Sequence, residues 1–597
     1  MPTTNPAALF CKRHKFCSPF FFFTIILVLF VTLTIFYNLG AYSLRGLDEA
    51  YTVQIVKSSF SCLNSGIHGT DKLKWQVDIH DPMHILLTAA AFMLFGESEF
   101  FARLFPAIFG VLTLWITYLF ANSLFKNRKI SLISVFILIT SYAFVYNRGI
   151  RAVDGEIILT FFLLVFLFFI WKGIDNAGYF YLSSIFLGLA ALSKTPCLQV
   201  VIAFLIAILF QVFSNKLRSR KEWFIWFVIL FTTLLPWLVY LLFSGKILEY
   251  LQFFILVAYT NLPIFGFFKS SLMDKFAFEL PHYIASMYFY VIEIGFFPWS
   301  LILFPTIILA FKNIFSKNRE KQNILILTWI TVVVLFMTVA SSHKTWWINY
   351  TFPGLAILVA RFIYDIWSSQ RAREVFITFV VSWLAAILII CRPIQIIQSQ
   401  YSPVPFLEIS GIRNGLTYSI ESNVLLIIFL LTLFIFIFQE IILVRFKFVL
   451  VVKDFIKKAV IIWIFIIAAN ATFNQMAVSN FKSDMHSISD MLNVSKIKLS
   501  EIVLCDLNLL EIENTLIPHR NELWSDSYYL RRIKFPFKEI SKEDLLRLAE
   551  RKDYFKYAQL FISKRKLISE AVGTSGFLTK LNIIFNGNDY CLFSFKQ

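Results

Sequence analysis

The stretch Ser18–Glu49, SPFFFFTIILVLFVTLTIFYNLGAYSLRGLDE, decides how the rest of the chain is read. Ser18–Asn38 carries no charge and follows the basic run KRHK at 12–15. As a helix rising 1.5 Å per residue it covers roughly 30 Å, the thickness of a bilayer's hydrocarbon core. It is too long for the core of a signal peptide and lacks a small-residue cleavage site, so it reads as an uncleaved anchor. Beyond it comes the acidic pair Asp48-Glu49. Carboxylates at a membrane mouth are costly to keep, and they point to function.

The whole chain repeats the character of that first stretch. Its residues are 58% hydrophobic and 15% charged, with a mean hydropathy of +0.71. A soluble domain needs about 25% charged residues. Most of this surface therefore faces lipid. The net charge of +18 would suit a nucleic-acid partner if it formed a patch. Instead the Lys and Arg residues fall in short runs between apolar stretches, as the positive-inside bias requires, so no nucleic acid is expected. The seven cysteines have no metal-type spacing. Cys505 and Cys591 form a disulfide or remain two thiols; sequence leaves both open.

Spans are expected near 18–38, 101–123, 130–147, 156–171, 178–193, 196–213, 223–243, 283–311, 324–341, 347–365, 374–391, 421–443 and 459–475. The basic runs at 12–15, 126–129, 216–221, 312–321, 371–373 and 453–458 then all fall on the cytoplasmic side. That agreement requires Met83–Phe95 to be no span. It is an uncharged run shorter than the 17 to 25 or so residues a span needs. It reads as an amphipathic or surface helix within a large outer loop, 39–100, whose helix after Asp48 has the apolar spacing Val53, Val56, Phe60 of an interfacial helix. This predicts a domain 1–475 of about 13 membrane helices with extracytoplasmic juxtamembrane helices. A small extracytoplasmic α/β domain, 476–597, is expected to follow. Its strand-like runs are EIVLCDL (501–507), YAQLFIS (557–563) and DYCLFSF (589–595), and SKEDLLRLAERKDYF (541–555) is helical in pattern.

On this topology one face collects Asp48, Glu49, Asp78, His80, Asp81, His84, Arg103, Arg148, Arg151, Asp154, Glu156, Lys194, His343 and Lys344. Basic residues on an outer face run against the positive-inside bias, which makes them candidates for holding a phosphate. Each residue also has a plainer reading. Asp48, Asp154 and Glu156 suit the first turn or the cap of a helix. Lys194 suits the last carbonyls of one. Arg103 suits a snorkelling arginine, and Asp81-Pro82 an N-cap followed by proline at the first helical position.

Five runs in order carry a resemblance: FGESEFFARLFPAIFGVLTLWITYLFANSLF, RGIRAVDGEIILTFFLL, LGLAALSKTP, IGFFPWSLIL and SSHKTWWINYTFPGLAIL. Over roughly residues 40–360 the chain is similar to the lipid A aminoarabinose transferases and the protein O-mannosyltransferases of the GT-C superfamily. The resemblance implies an integral, multi-pass protein of the bacterial inner or plasma membrane with its active site on the extracytoplasmic face. The reaction it implies inverts the sugar's anomeric centre. The donor would be a polyprenyl-phosphate-linked sugar of aminoarabinose or hexose type, and the acceptor lipid A, another glycan or a protein. Asp48 would be the general base that takes the acceptor hydroxyl's proton, or would orient that hydroxyl. Asp154 would face it across the cavity, binding acceptor or a divalent ion. Lys194, Lys344 and Arg103 would meet the donor phosphate, with Glu49, His80, Asp81, His84, Glu156 and His343 as accessories.

Two departures stand out. Where the aminoarabinose enzymes carry Lys-Pro-Pro and the mannosyl group often His-Pro-Pro, this chain reads His80-Asp81-Pro82-Met83-His84. The stretch YLQFFILVAYTNLP (250–263) lacks the arginine that relatives tend to have near its end. His80, Asp81 and His84, with Asp48 or Asp154, are a chemically reasonable set for a divalent cation, though their spacing is not diagnostic. The rival class is a transporter, which should show paired repeats and ionisable groups at mid-membrane; here the acids sit at the outer ends of the spans.

Overall fold

The structure is a computed structural model that describes residues 19–44, 49–50, 52–57, 82–146, 149–194, 198–252, 295–296, 299–314, 320–339, 345–368, 458, 461–462, 464–473, 487 and five strands within 502–595. The helices are α1 Pro19–Phe36, α2 Pro82–Phe95, α3 Glu99–Phe125, α4 Arg128–Ile139, α5 Tyr142–Val145, α6 Glu156–Lys172, α7 Ala177–Ser193, α8 Leu198–Phe213, α9 Arg220–Phe243, α10 Leu303–Ile314, α11 Lys321–Val339 and α12 Phe352–Ser368. The expected spans 374–391 and 421–443 lie outside the described residues. Among the described residues, α3 and α9 are long and apolar enough to cross a bilayer, and α1, α2, α7, α8 and α11 contain shorter apolar helices.

Local chemistry sets the boundaries. α1, α3 and α8 are followed by left-handed residues, Asn38, Lys126 and Asn215, the conformation that commonly terminates a helix. Asn127 caps α4 by accepting from the backbone N–H groups of Lys129 and Ile130, and Asn176 caps α7 through Gly178 N–H. A capping box opens α9, in which Ser219 and Glu222 each accept the other's backbone N–H.

Two stretches depart from expectation. The predicted span 130–147 is broken after Ile139, where Thr140 and Ser141 interrupt the helix before α5 begins. There the Trp299 indole N–H donates to Thr140 Oγ1 at 2.9 Å. The stretch 347–365 starts as a 3-10 turn, Thr345–Thr351, and becomes α-helical only at Phe352. Helix α2 is short, as predicted, but it is not amphipathic. It has no charged residue, and Leu86, Met93 and Leu94 are exposed at 65%, 73% and 70% while Ile85, Ala91 and Phe92 are buried.

The chain divides into two compact units: Met1–Tyr37, Trp75–Leu87 and Leu104–Val478 form one, and Asn38–Lys74, Thr88–Arg103 and Ser479–Gln597 the other. In the first, α6 packs on α7, α7 on α9, α4 on α12 and α8 on α11. Polar side chains tie some of these pairs: Trp226 N–H donates to Ser183 Oγ at 2.9 Å between α9 and α7, both residues fully buried. Such bonds between membrane helices contribute on the order of 0.6 kcal/mol each. Outward, α9 presents Phe224, Phe231, Leu242 and Phe243, and α1 presents Phe22, Ile26 and Leu29. These are surfaces suited to lipid.

The second unit holds a five-stranded sheet of β1 Ile502–Cys505, β2 Phe537–Ile540, β3 Leu560–Lys564, β4 Leu581–Asn586 and β5 Tyr590–Phe595, in the order β2-β1-β3-β5-β4. β1 runs parallel to both β2 and β3, while β5 is antiparallel to β3 and β4. It follows that β1, β2, β3 and β4 all point one way and β5 alone is reversed. The three strand-like runs read from sequence are β1, β3 and β5; the predicted helix at 541–555 lies outside the described residues. Cys505 is in register with Ser563, and Ser563 with Cys591. The two cysteines therefore flank β3 at two strand spacings, roughly 9–10 Å between Cα atoms. A disulfide needs less than about 7 Å, so the sheet excludes this bridge.

Candidate active site

In the first unit three chain segments meet. The loop 149–155 ahead of α6 carries Asp154, α6 begins with Glu156, and α7 ends at Ser193. Lys194, the residue that ends α7, is extended at φ −151° and ψ 125°. Its ammonium is 3.0 Å from Asp154 Oδ1 and 2.7 Å from Glu156 Oε1. Asp154 Oδ1 also accepts the Glu156 backbone N–H, so the acid both caps the helix and pairs with the lysine. Asp154 and Glu156 are almost wholly buried. The cluster sets two carboxyl groups against one ammonium, in a largely buried setting where charge pairs act strongly.

Gly155 makes this approach feasible. A Cβ there would lie 2.7 Å from the Ser193 carbonyl oxygen and 3.5 Å from His84 Cβ. The site loop and the end of α7 are thus in backbone contact. His84, buried on the first turn of α2, packs beside the same glycine, and its neighbour Met83 accepts from Ser193 Oγ at 3.5 Å. Arg151, also buried, donates from Nη1 to the carbonyls of Thr34 and Ile35 at 2.8 and 3.1 Å. A cation there satisfies the last-turn carbonyls of α1 and opposes the negative end of its dipole. The site loop is thereby tied to the first helix.

In the second unit Arg103, expected at the donor phosphate, is held within the chain. It is fully buried. Nη1 donates to the carbonyls of Leu39 and Tyr42 at 3.1 and 3.0 Å, and Nη2 to the Ser43 carbonyl at 3.0 Å and Glu49 Oε2 at 2.8 Å. The guanidinium also lies over the Tyr42 ring, 3.7 Å from its centroid. All four Nη hydrogens are engaged. Glu49 is correspondingly buried in an ion pair.

The structure brings together Asp154, Glu156, Lys194 and His84, and separately Glu49 and Arg103. Asp48, His80, Asp81, His343 and Lys344 lie outside the described residues, as do Asp78 and Arg148. Among the described residues no group of three or more His, Cys, Asp or Glu is placed to hold a metal ion. Gly155 was the residue sequence reasoning missed. Its only signal was its position between two acids, which does not reveal the opposing carbonyl.

Known proteins share both the sequence pattern and the fold. Residues 79–240 match the dolichyl-phosphate-mannose-protein mannosyltransferase family. A protein of Aquifex aeolicus is 24% identical over 350 residues, 58% of this chain. The dolichyl-phosphooligosaccharide-protein glycotransferase 2 of Archaeoglobus fulgidus is 29% identical over 137 residues, 23% of this chain. The chain spans 64% of the first relative and 22% of the second. In fold it is similar to ArnT from Cupriavidus metallidurans bound to undecaprenyl phosphate, with a TM-score of 0.55 at 14% identity, over 96% of this chain and 97% of that one. The family match thus covers the segment that builds the Asp154–Lys194 cluster, and the fold is similar to that of ArnT over nearly the whole chain.

Proposed function

We propose that this protein is a membrane-embedded inverting glycosyltransferase. It takes a sugar of aminoarabinose or hexose type from a polyprenyl-phosphate donor and transfers it to an extracytoplasmic acceptor such as lipid A. The observation that carries the reading is the buried Asp154–Glu156–Lys194 cluster, built wholly within the segment matching the mannosyltransferase family. A buried acid pair held by one lysine has little value as mere scaffolding, because apolar residues of the same volume stabilise at least as well. The fold shared with a protein crystallised with undecaprenyl phosphate supports the donor class.

In this reading Asp48 takes the acceptor hydroxyl's proton as the oxygen attacks the anomeric carbon. The donor's phosphate leaves from the opposite face, which inverts the centre. Lys194 exchanges a carboxylate partner for the departing phosphate oxygens, and Asp154 orients the acceptor. Lys344 is assigned to the donor phosphate, while Arg103 with Glu49 braces the segment leading to Asp48. His84 flanks the cluster; His80, Asp81 and His343 are assigned to the cavity rim. The multi-pass topology, the domain boundary near 475 and the extracytoplasmic tail belong to the same proposal.

A protein acceptor is the second reading, favoured by the match to a protein mannosyltransferase family. Mass spectrometry of envelope lipids and glycoproteins, with and without the gene, separates the two. Loss of a sugar from lipid A supports the first and loss from proteins the second; an unchanged profile in both pools contradicts a transferase.

A further inference from the structure

The chain reaches the candidate site through the break after α4. That helix ends at Ile139, and Ser141, extended at φ −83° and ψ 119°, opens the four-residue α5. Both hydroxyls at the junction are held. Thr140 Oγ1 donates to the Phe136 carbonyl and Ser141 Oγ to the Ile137 carbonyl, each at 2.7 Å. The Thr140 oxygen keeps acceptor capacity, and the Trp299 indole N–H donates to it at 2.9 Å. Trp299 is fully buried and opens a 3-10 turn, Trp299–Ile302, ahead of α10. Its ring stands edge-on to Phe136 and Phe465, with centroids 6.1 and 5.2 Å away, and those two rings stack on each other at 4.9 Å. The phenyl rings hold the plane of the indole, and its one polar group meets the break.

From α5 the path to the site runs through backbone. Ile150 N–H donates to the Phe144 carbonyl and Arg151 N–H to the Val145 carbonyl, each at 3.0 Å. The approach is close enough that a Cβ on Gly149 would overlap the Phe144 carbonyl oxygen. Three residues beyond Arg151, Asp154 meets Lys194.

We infer that Trp299 and Thr140 are positioning residues for the Asp154–Lys194 cluster. Their bond sets the angle at which α5 leaves α4, and α5 carries the site loop on its carbonyls. Arg151 ties that loop to α1; the indole ties it to the segment that leads into α10. Both side chains act through α5 and neither touches substrate. The inference rests on the transferase reading for its catalytic consequence, and on geometry alone for the position of the loop.

The test uses full-length protein in nanodiscs carrying Ala152→Cys, a buried position on the loop, or Ser123→Cys, a buried position near the far end of α3, as control. Maleimide modification is followed by peptide mass spectrometry, which separates each probe from the native cysteines. Trp299→Phe keeps an aromatic ring and removes the donor; Thr140→Val keeps the shape and removes the acceptor. Each should raise the labelling rate at Ala152→Cys about tenfold, as loss of a buried bond implies, and leave Ser123→Cys within about twofold. Each should lower kcat about tenfold with the donor KM within about threefold, because geometry and not binding is disturbed. Thr140→Ser keeps the hydroxyl and should stay near the parent in every measurement. The double variant should add little to either single one, since both remove the same bond. An unchanged rate at Ala152→Cys, an equal rise at Ser123→Cys, or effects that multiply in the double variant overturn the inference. Faster labelling with parental kcat overturns it too. If Trp299→Phe fails to yield monodisperse protein, Thr140→Val against Thr140→Ser carries the comparison. Labelling needs no turnover, so it decides the position of the loop even in a protein that transfers no sugar, a result that would count against the transferase reading instead.

Discussion

At the residue scale, Arg103, fully buried, and Lys194, part-buried, show how alike two cations are in sequence and how different in structure. Both stand in family-like motifs on the predicted outer face. Arg103 spends its Nη donors on three carbonyls and one carboxylate of a single chain segment, whereas Lys194 bridges two carboxylates at the mouth of a helix. Removing one partner of a buried ion pair typically costs about 3–5 kcal/mol. Arg103→Leu, which also strands three carbonyls, should therefore lower stability by at least about that amount. Thermal unfolding in detergent, followed by size-exclusion fluorescence, checks this. Glu49→Gln keeps a neutral acceptor and should cost less. An Arg103→Leu protein as stable as the parent, with reduced donor affinity alone, would return Arg103 to the phosphate.

At the scale of elements, Gly155 links local geometry to the site. An added methyl 2.7 Å from the Ser193 carbonyl forces backbone to move, because no flexible side chain stands there to yield. Gly155→Ala should shift the Asp154 loop away from Lys194 and lower turnover about tenfold or more while the protein still folds, since a displacement near 1 Å can cost 10²-fold. Steady-state sugar transfer by the purified variant is the measurement.

Helix placement was legible in the sequence because apolar runs and caps are local: the predicted stretches at 156–171, 178–193 and 223–243 fall on α6, α7 and α9 within a few residues. The break at Thr140 was not legible; there the indole of Trp299, far along the chain, donates to Thr140 Oγ1. Helix α2 was rightly read as short, and of the two readings, amphipathic or surface, its composition does not favour the amphipathic one. Fourteen residues rise about 21 Å, well short of a bilayer core. Cysteines placed at Ser98 and, on the other side of α2, at Lys74 should both label from outside the cell. One-sided labelling would make α2 a span and invert everything after it.

At the scale of the whole molecule, the alternation of basic runs is the basis for proposing that the region after 475 lies outside. A reporter active only in the cytoplasm, fused after Gln597, should stay dark; a bright signal would place the sheet inside the cell. The sheet itself was partly legible. Alternating apolar runs gave away β1, β3 and β5, whereas β2 (Phe537–Ile540) and β4 (Leu581–Asn586) were not read as strands. Strand order and the exclusion of a Cys505–Cys591 bridge depend on pairing between distant segments, which no local pattern contains. The acid pair at 48–49 and the Asp154–Lys194 cluster could be picked out singly from sequence. That Lys194 meets both Asp154 and Glu156 could not, because that contact depends on how α6 and α7 pack.

The most direct test is sugar transfer by the purified, reconstituted protein from a polyprenyl-phosphate-linked sugar to lipid A or an acceptor peptide, followed by mass spectrometry with anomeric configuration assigned by NMR. The parent protein should give an inverted product. Asp48→Asn and Asp154→Asn should each fold and insert, with Asp48→Asn losing about 10²-fold or more in kcat, as expected when a general base is removed. A retained anomeric configuration, or near-parental kcat in Asp48→Asn at saturating donor and acceptor, would contradict the account.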